Sequence, residues 1–126
     1  MATTRQKLAR QSDATATEPL PGWLTQTDQA LQELLCLPPN WNSYGAQPIS
    51  PDNVTAAKDL LRAIVRPETP QPSVVPTVSG GVQLEWHTGG IDLEIEIQAP
   101  GQLHVWLKDP QENRSIEELL KKAGAS

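Results

Sequence analysis

A chain of 126 residues with 37% hydrophobic residues has material for one small domain with one core, and not for two. Its formal charge of -5 argues against a sequence-independent grip on nucleic acid, which needs clustered Lys and Arg to displace counterions, and favours a partner with a basic protein surface. Cys36 is the single cysteine, which excludes an intrachain disulfide and a multi-cysteine zinc site, and no apolar run is long enough to cross a bilayer or to form a signal core, so the expectation is a cytoplasmic protein without a membrane segment.

Residues 1–20 are poor in large apolar side chains and carry Arg5, Lys7 and Arg10, the composition of a flexible tail ahead of a single domain over 21–124. A short helix is expected from Thr25 or Thr27, either of which offers a capping hydroxyl. Leu24, Leu31, Leu34 and Leu35 fall near one face of it, and Pro38-Pro39 ends it. Cys36, at its C-terminal end, is expected as a small buried apolar residue. The loop that follows holds Trp41 and Tyr44 among turn-forming residues. The two rings are expected to plug the core beside the helices, with a recognition loop as the alternative. Ser50 then Pro51 marks a second helix running to about Val65 and burying Val54, Ala57, Leu61 and Ile64. Pro67, Pro70, Pro72 and Pro76 make the next stretch a stiff connector, with a short strand over residues 73–79 placed at a sheet edge because Pro76 cannot donate to a ladder.

From Val82 to Ile97 apolar and polar residues alternate strictly on both sides of Gly89-Gly90, the signature of a hairpin with a two-residue turn. In that register Trp86 faces Leu93, Leu84 faces Ile95 and Val82 faces Ile97, while His87 faces Asp92, Glu85 faces Glu94 and Gln83 faces Glu96. A slip by one residue would set the apolar row against the polar one, so the pattern fixes the register as well as the strands. After Ala99-Pro100-Gly101 a third strand pairs Ile97 with Leu103, Ile95 with Val105, Leu93 with Leu107, Glu96 with His104, Glu94 with Trp106 and Asp92 with Lys108. A C-terminal helix is expected from the capping box of Ser115 and Glu118, with Ile116, Leu119 and Leu120 as its stripe. The fold class is therefore α+β, with two N-terminal helices, an antiparallel meander of three to four strands and a C-terminal helix, the helices covering Leu84, Trp86, Leu93, Ile95, Val105 and Leu107.

The Trp41-Asn42-Ser43-Tyr44-Gly45-Ala46 loop with Pro48, the Pro48-Ile49-Ser50-Pro51 helix start, Pro76-Thr77, and Gly80-Gly81-Val82-Gln83-Leu84-Glu85-Trp86 with its Ile-Glu-Ile partner strand form a spaced set over residues 34–108. This set resembles a group of small, poorly characterised bacterial proteins. The resemblance implies an accessory member of a mobile or defence-linked cassette, including toxin–antitoxin neighbourhoods, and carries no catalytic residues with it.

The polar face of the meander gathers Glu85, Asp92, Glu94 and Glu96 with His87, His104, Lys108 and Trp106. Three function classes compete for it. A non-catalytic protein-binding or regulatory module, an antitoxin, inhibitor or accessory subunit, would present Glu85, Asp92, Glu94, Glu96, His104 and Trp106, with Trp41 and Tyr44 as a further contact, to a bacterial partner. It would need no cofactor, and the open sheet edge leaves room for a homodimer or strand addition. A small metal-dependent hydrolase would use Glu85, Glu94, Glu96 and His104 as a carboxylate and imidazole cluster. It lacks a phosphate loop, a His-Glu-x-x-His helix or a nucleophile elbow to support it. Nucleic-acid binding would need basic residues around the aromatics, and the face is acidic. The sequence favours the binding module.

Overall fold

The computed structural model describes residues 19–109. The expected N-terminal tail, apart from Pro19 and Leu20, and the helix expected from Ser115 lie outside the described residues. Helix α1 spans Leu24–Glu33 and passes into a single 3-10 turn over Leu34–Cys36; α2 spans Pro51–Ile64; the strands are β1 Ser73–Pro76, β2 Val82–Thr88, β3 Ile91–Ala99 and β4 Gln102–Lys108. They form one α+β unit with a four-stranded antiparallel sheet in the order β1-β2-β3-β4.

The β2–β3 hairpin has the register that the alternation dictates, from Val82 opposite Ile97 to Thr88 opposite Ile91. Gly89 and Gly90 close it with φ of 62° and 77°, a pair of left-handed values that glycine adopts without steric cost and that matches the twist of a two-residue hairpin. The β3–β4 pairing likewise sets Ile97, Ile95 and Leu93 against Leu103, Val105 and Leu107, with an irregularity between Ile97 and Ala99 that lets Ala99 pair with Gln102. Strand β1 lies at the edge, where the missing N–H of Pro76 is tolerated.

Hydrophobic burial joins the layers. Val82, Leu84, Trp86, Leu93, Ile95 and Ile97 from the sheet meet Leu24 and Leu31 of α1 and Val54, Ala57 and Leu61 of α2 in one core. Ser50 caps α2, its Oγ accepting the Asp52 N–H at 3.2 Å, and Pro51 opens the first turn. Helix α1 begins differently from the expected threonine cap. Trp23 occupies the cap position without a side-chain bond, and Leu24 N–H donates to the Pro21 carbonyl at 3.2 Å, so the preceding turn starts the helix. Buried Thr27 is committed elsewhere, its Oγ1 accepting from Gln71 Nε2 at 3.1 Å.

Polar groups set how the layers sit. The indole N–H of Trp23 donates to the Thr69 carbonyl at 2.9 Å and that of Trp86 to the Pro70 carbonyl at 2.8 Å, pinning the proline-rich connector from both sides. Asn53, buried in α2, donates through Nδ2 to the carbonyls of Gly80 at 3.0 Å and Gln98 at 3.2 Å, locking the helix to the entrance of β2 and the exit of β3. Gly81 lies so close to β3 that a Cβ there would stand 2.5 Å from the Ile97 carbonyl oxygen, a contact only glycine avoids. On the surface Arg62 of α2 grips Asp28 of α1 with two bonds of 3.1 and 2.5 Å; the hydrogen bond from Arg62 holds the Asp28 carboxyl below the usual range, though exposed pairs of this kind add little stability.

Two burial expectations are corrected. Cys36 is exposed, because the tighter 3-10 turn rotates it off the stripe that Leu34, Leu35 and Leu37 continue. Val105 and Leu107 are not covered by α1 and α2: with Leu103 they remain 41–45% exposed, since α2 packs on β2 and β3 and α1 on α2 and β1.

Replacing Asn53 by Ala should lower unfolding stability by about 2–3 kcal/mol, since two carbonyls lose their donor. Ser50→Ala, which loses only a cap, should cost about 1 kcal/mol. Urea denaturation followed by tryptophan fluorescence checks both, and equal costs would contradict the locking role of Asn53.

Candidate functional site

The pleat that buries the apolar row turns Gln83, Glu85 and His87 of β2, Asp92, Glu94 and Glu96 of β3, and His104, Trp106 and Lys108 of β4 to the other face. Glu85 and Glu94 stand directly opposite one another, a like-charge pair that destabilises a sheet unless something intervenes. Two neighbours do. On one side the Gln83 amide donates to Glu85 Oε2 at 2.6 Å and reaches Glu94 Oε1 at 3.5 Å. On the other the His87 ring sits among three carboxylates, with Nδ1 2.7 Å from Asp92 Oδ1 and Nε2 3.2 Å from Glu85 Oε1 and 3.8 Å from Glu94 Oε2.

A ring with an acid at each nitrogen is most stable with both nitrogens protonated. The hydrogen bond to Asp92, seconded by that to Glu85, raises the His87 pKa above its usual value, against a small opposing effect of desolvation. In its protonated form His87 is a counter-cation within the face: it offsets one charge among Glu85, Asp92 and Glu94, while Lys108 stands opposite Asp92 and Glu96 adds a further carboxylate, so the face carries more carboxylates than cations.

At the far side of the face Trp106 is opposite Glu94 and 48% exposed. The ring of His104 meets it edge to face, with centroids 5.6 Å apart and planes at 88°, and His104 Nδ1 lies 3.4 Å from Gln98 Nε2. His104 therefore belongs with Trp106 and Gln98, and the carboxylate and imidazole cluster expected around it forms around His87 instead. Glu85, His87 and Glu94 offer donor atoms all within 4.8 Å of one another, a set among the described residues that could hold a metal ion. Sequence reasoning placed His87 on the face but did not select it as a site residue. The signal was there: His87 is two residues from Glu85 on one strand and directly opposite Asp92 on the next.

Trp41 and Tyr44 sit in a separate loop, and the expectation that they plug the core is overturned. Tyr44 is 91% exposed, and it is Ala46 and Ile49 that are buried. Asn40 and Ser43 take left-handed φ values of 64° and 67°. Asn42 Oδ1 accepts the N–H groups of Tyr44 at 2.8 Å and Ala46 at 3.1 Å, and Trp41 Nε1 donates to the Gln47 carbonyl at 2.9 Å. The asparagine side chains close the loop on itself and turn the tyrosine outward.

Among the described residues no helix is long and apolar enough to cross a membrane. Comparison of the chain with family models, with curated proteins and with solved structures returns no match.

The raised His87 pKa gives stability a sign with pH. The folded state holds the proton more tightly than the unfolded one, whose imidazole titrates near about 6.5. The contribution is full below that value and is lost as pH rises through the folded pKa. Proton NMR titration should place His87 above about 6.5 in the wild type and lower in Asp92→Asn. Urea stability should fall as pH rises above about 6.5 in the wild type, with a flatter dependence in His87→Gln. An unshifted His87 titration would remove the counter-cation assignment.

Proposed function

We propose that the chain is a non-catalytic protein-binding module, an antitoxin, inhibitor or accessory subunit of a bacterial defence or mobile-element system, working in the cytoplasm and presenting the acidic sheet face to a basic protein surface. The observation that carries this reading is Trp106, a half-exposed indole set in a field of carboxylates. Tryptophan is enriched at interface hot spots because burying it removes a large apolar area from water at small entropic cost. The surrounding acids speed encounter with a basic partner and reject acidic ones. His104, in T-shaped contact with the indole, pre-orients it.

A second reading, a small metal-dependent hydrolase, is favoured by one observation, the closeness of the Glu85, His87 and Glu94 donors. Asp92 on Nδ1 would be the outer partner that aims Nε2 at a cation, and the cation would displace the Nε2 proton. Against it, Glu85, Glu94 and His87 have side chains 20%, 34% and 46% exposed, and among the described residues no wall rises beside them to exclude water from a reaction.

The deciding experiment is affinity capture from a lysate of the source bacterium. The tagged wild type is compared with Glu94→Lys/Glu96→Lys and with Trp106→Ala. The binding reading expects one stoichiometric protein retained by the wild type, lost with the charge reversal and weakened at least about 30-fold by Trp106→Ala, the hot-spot range, with melting temperatures preserved. Retention unchanged in both variants would remove the acidic face from the interface. Calorimetric titration with Mn2+ or Zn2+ tests the second reading: one-to-one uptake that His87→Gln abolishes would favour the hydrolase, and no uptake would end it.

A further inference from the structure

The sheet ends in β1 on one side and β4 on the other, and the two edges differ in kind. Strand β1 has four residues and finishes in Pro76, which has no N–H to offer, so it resists a further strand in the usual ways. Strand β4 has seven residues, all exposed, with no proline, no acid and one lysine, Lys108, at its end. Among the described residues no strand pairs with its outer side. Leu103, Val105 and Leu107 are 41–45% exposed on one face and Trp106 is 48% exposed on the other, so this edge carries apolar surface on both faces.

We propose that β4 pairs antiparallel with β4 of a second copy of this chain, about a two-fold axis through Val105. The strand itself selects both partner and register. Gln102-Leu103-His104-Val105-Trp106-Leu107-Lys108 reads polar, aliphatic, ring, aliphatic, ring, aliphatic, polar from either end. Centred on Val105, the pairing sets Val105 against itself, Leu103 against Leu107, His104 against Trp106 and Gln102 against Lys108, which matches like with like and opposes no two charges of one sign. The two Trp106 become diagonal neighbours, about 7–8 Å apart and within reach of one another. Other registers fit less well. Moving the axis half a residue opposes apolar to polar side chains along the whole strand. Moving it to His104 sets Lys108 against Pro100, which cannot donate, and moving it to Trp106 sets Leu103 against Asp109.

The acidic faces do not oppose this pairing. The two copies of β3 stand three strand spacings apart, about 14 Å, beyond the screening length of about 8 Å at physiological salt. Four half-exposed side chains and one strand edge offer less than the roughly 800 Å2 per partner of a standard interface, so the dimer dissociates on dilution. The dimer does not rest on the binding role proposed above. It joins two four-stranded sheets edge to edge and makes their polar faces continuous, with the two Trp106 at the centre.

The test uses the full chain. Sedimentation equilibrium over a range from micromolar to millimolar should show a monomer–dimer equilibrium. Val105→Lys, which places like charges face to face on the axis, should weaken it at least about tenfold while the hydrogen-exchange protection of residues 82–97 is kept. Register is read in a Cys36→Ser background under mild oxidation. Val105→Cys, which faces itself, should form a disulfide-linked dimer at least about tenfold faster than Leu103→Cys, which faces Leu107 and lies too far from its own copy for a disulfide. A wild type that stays monomeric throughout, a dimer that Val105→Lys leaves intact, or equal linkage at positions 103 and 105 would each overturn the proposal.

Discussion

The antiparallel register of β2 against β3 is the constraint on which the rest of the structure depends. Side chains along a strand alternate with a period of two, so the turn at Gly89 and Gly90 decides in one step which residues enter the core and which meet water. With Trp86 against Leu93 and Leu84 against Ile95, the apolar row gives α1 and α2 a surface to pack on. The same choice turns Glu85, His87, Asp92 and Glu94 outward as a group. Core and acidic face are therefore two readings of one register, and neither could be moved without the other.

Burial of apolar area brings the helices to the sheet but does not by itself fix where they lie, because hydrophobic attraction has no direction. Direction comes from a few hydrogen bonds between distant parts of the chain. Asn53 ties α2 to Gly80 and Gln98, and the indoles of Trp23 and Trp86 hold the carbonyls of Thr69 and Pro70. The connector, rich in proline and so poor in donors, has spare carbonyls that must find partners wherever they are buried. Two tryptophans, apolar bodies with one N–H each, meet that need while remaining part of the hydrophobic layer.

This division explains what could be read in the sequence. The strands, their pairing and the make-up of both sheet faces were legible, because a period of two over sixteen residues with a glycine pair at its centre admits one register. The Ser50-Pro51 start of α2 was legible for a similarly local reason. What failed depended on tertiary contacts or on local turns that residue type does not announce. The Thr27 hydroxyl, a capping candidate in isolation, is used by Gln71 across the fold. Cys36 and Tyr44 were judged by residue type, whereas a 3-10 turn and two asparagine-closed bends decide their exposure. Within the site the opposed carboxylates were foreseen but their counter-cation was not selected, since His87 gains its role from the side-chain geometry around Asp92, Glu85 and Glu94 rather than from its place in the pattern.

The polar face also departs from what stability alone would select. A solvated sheet face is stabilised by threonines, by opposite charges on facing rungs, and by keeping large aromatics out of water. Here Glu85 faces Glu94, and Trp106 stands half in water opposite the same Glu94. Gln83, His87 when protonated, and Lys108 opposite Asp92 reduce the repulsion without cancelling it, for the four carboxylates Glu85, Asp92, Glu94 and Glu96 outnumber those two cations. These local rules are broken on one rung, while the other face of β2 and β3 follows them, a departure of the kind that functional sites show. The uncompensated charge gives reach, acting across roughly a Debye length of about 8 Å at physiological salt. The exposed indole gives a contact that acts only once water has been expelled. Long-range attraction and short-range anchoring on the same face are complementary properties, and together they are what supports the proposed binding role.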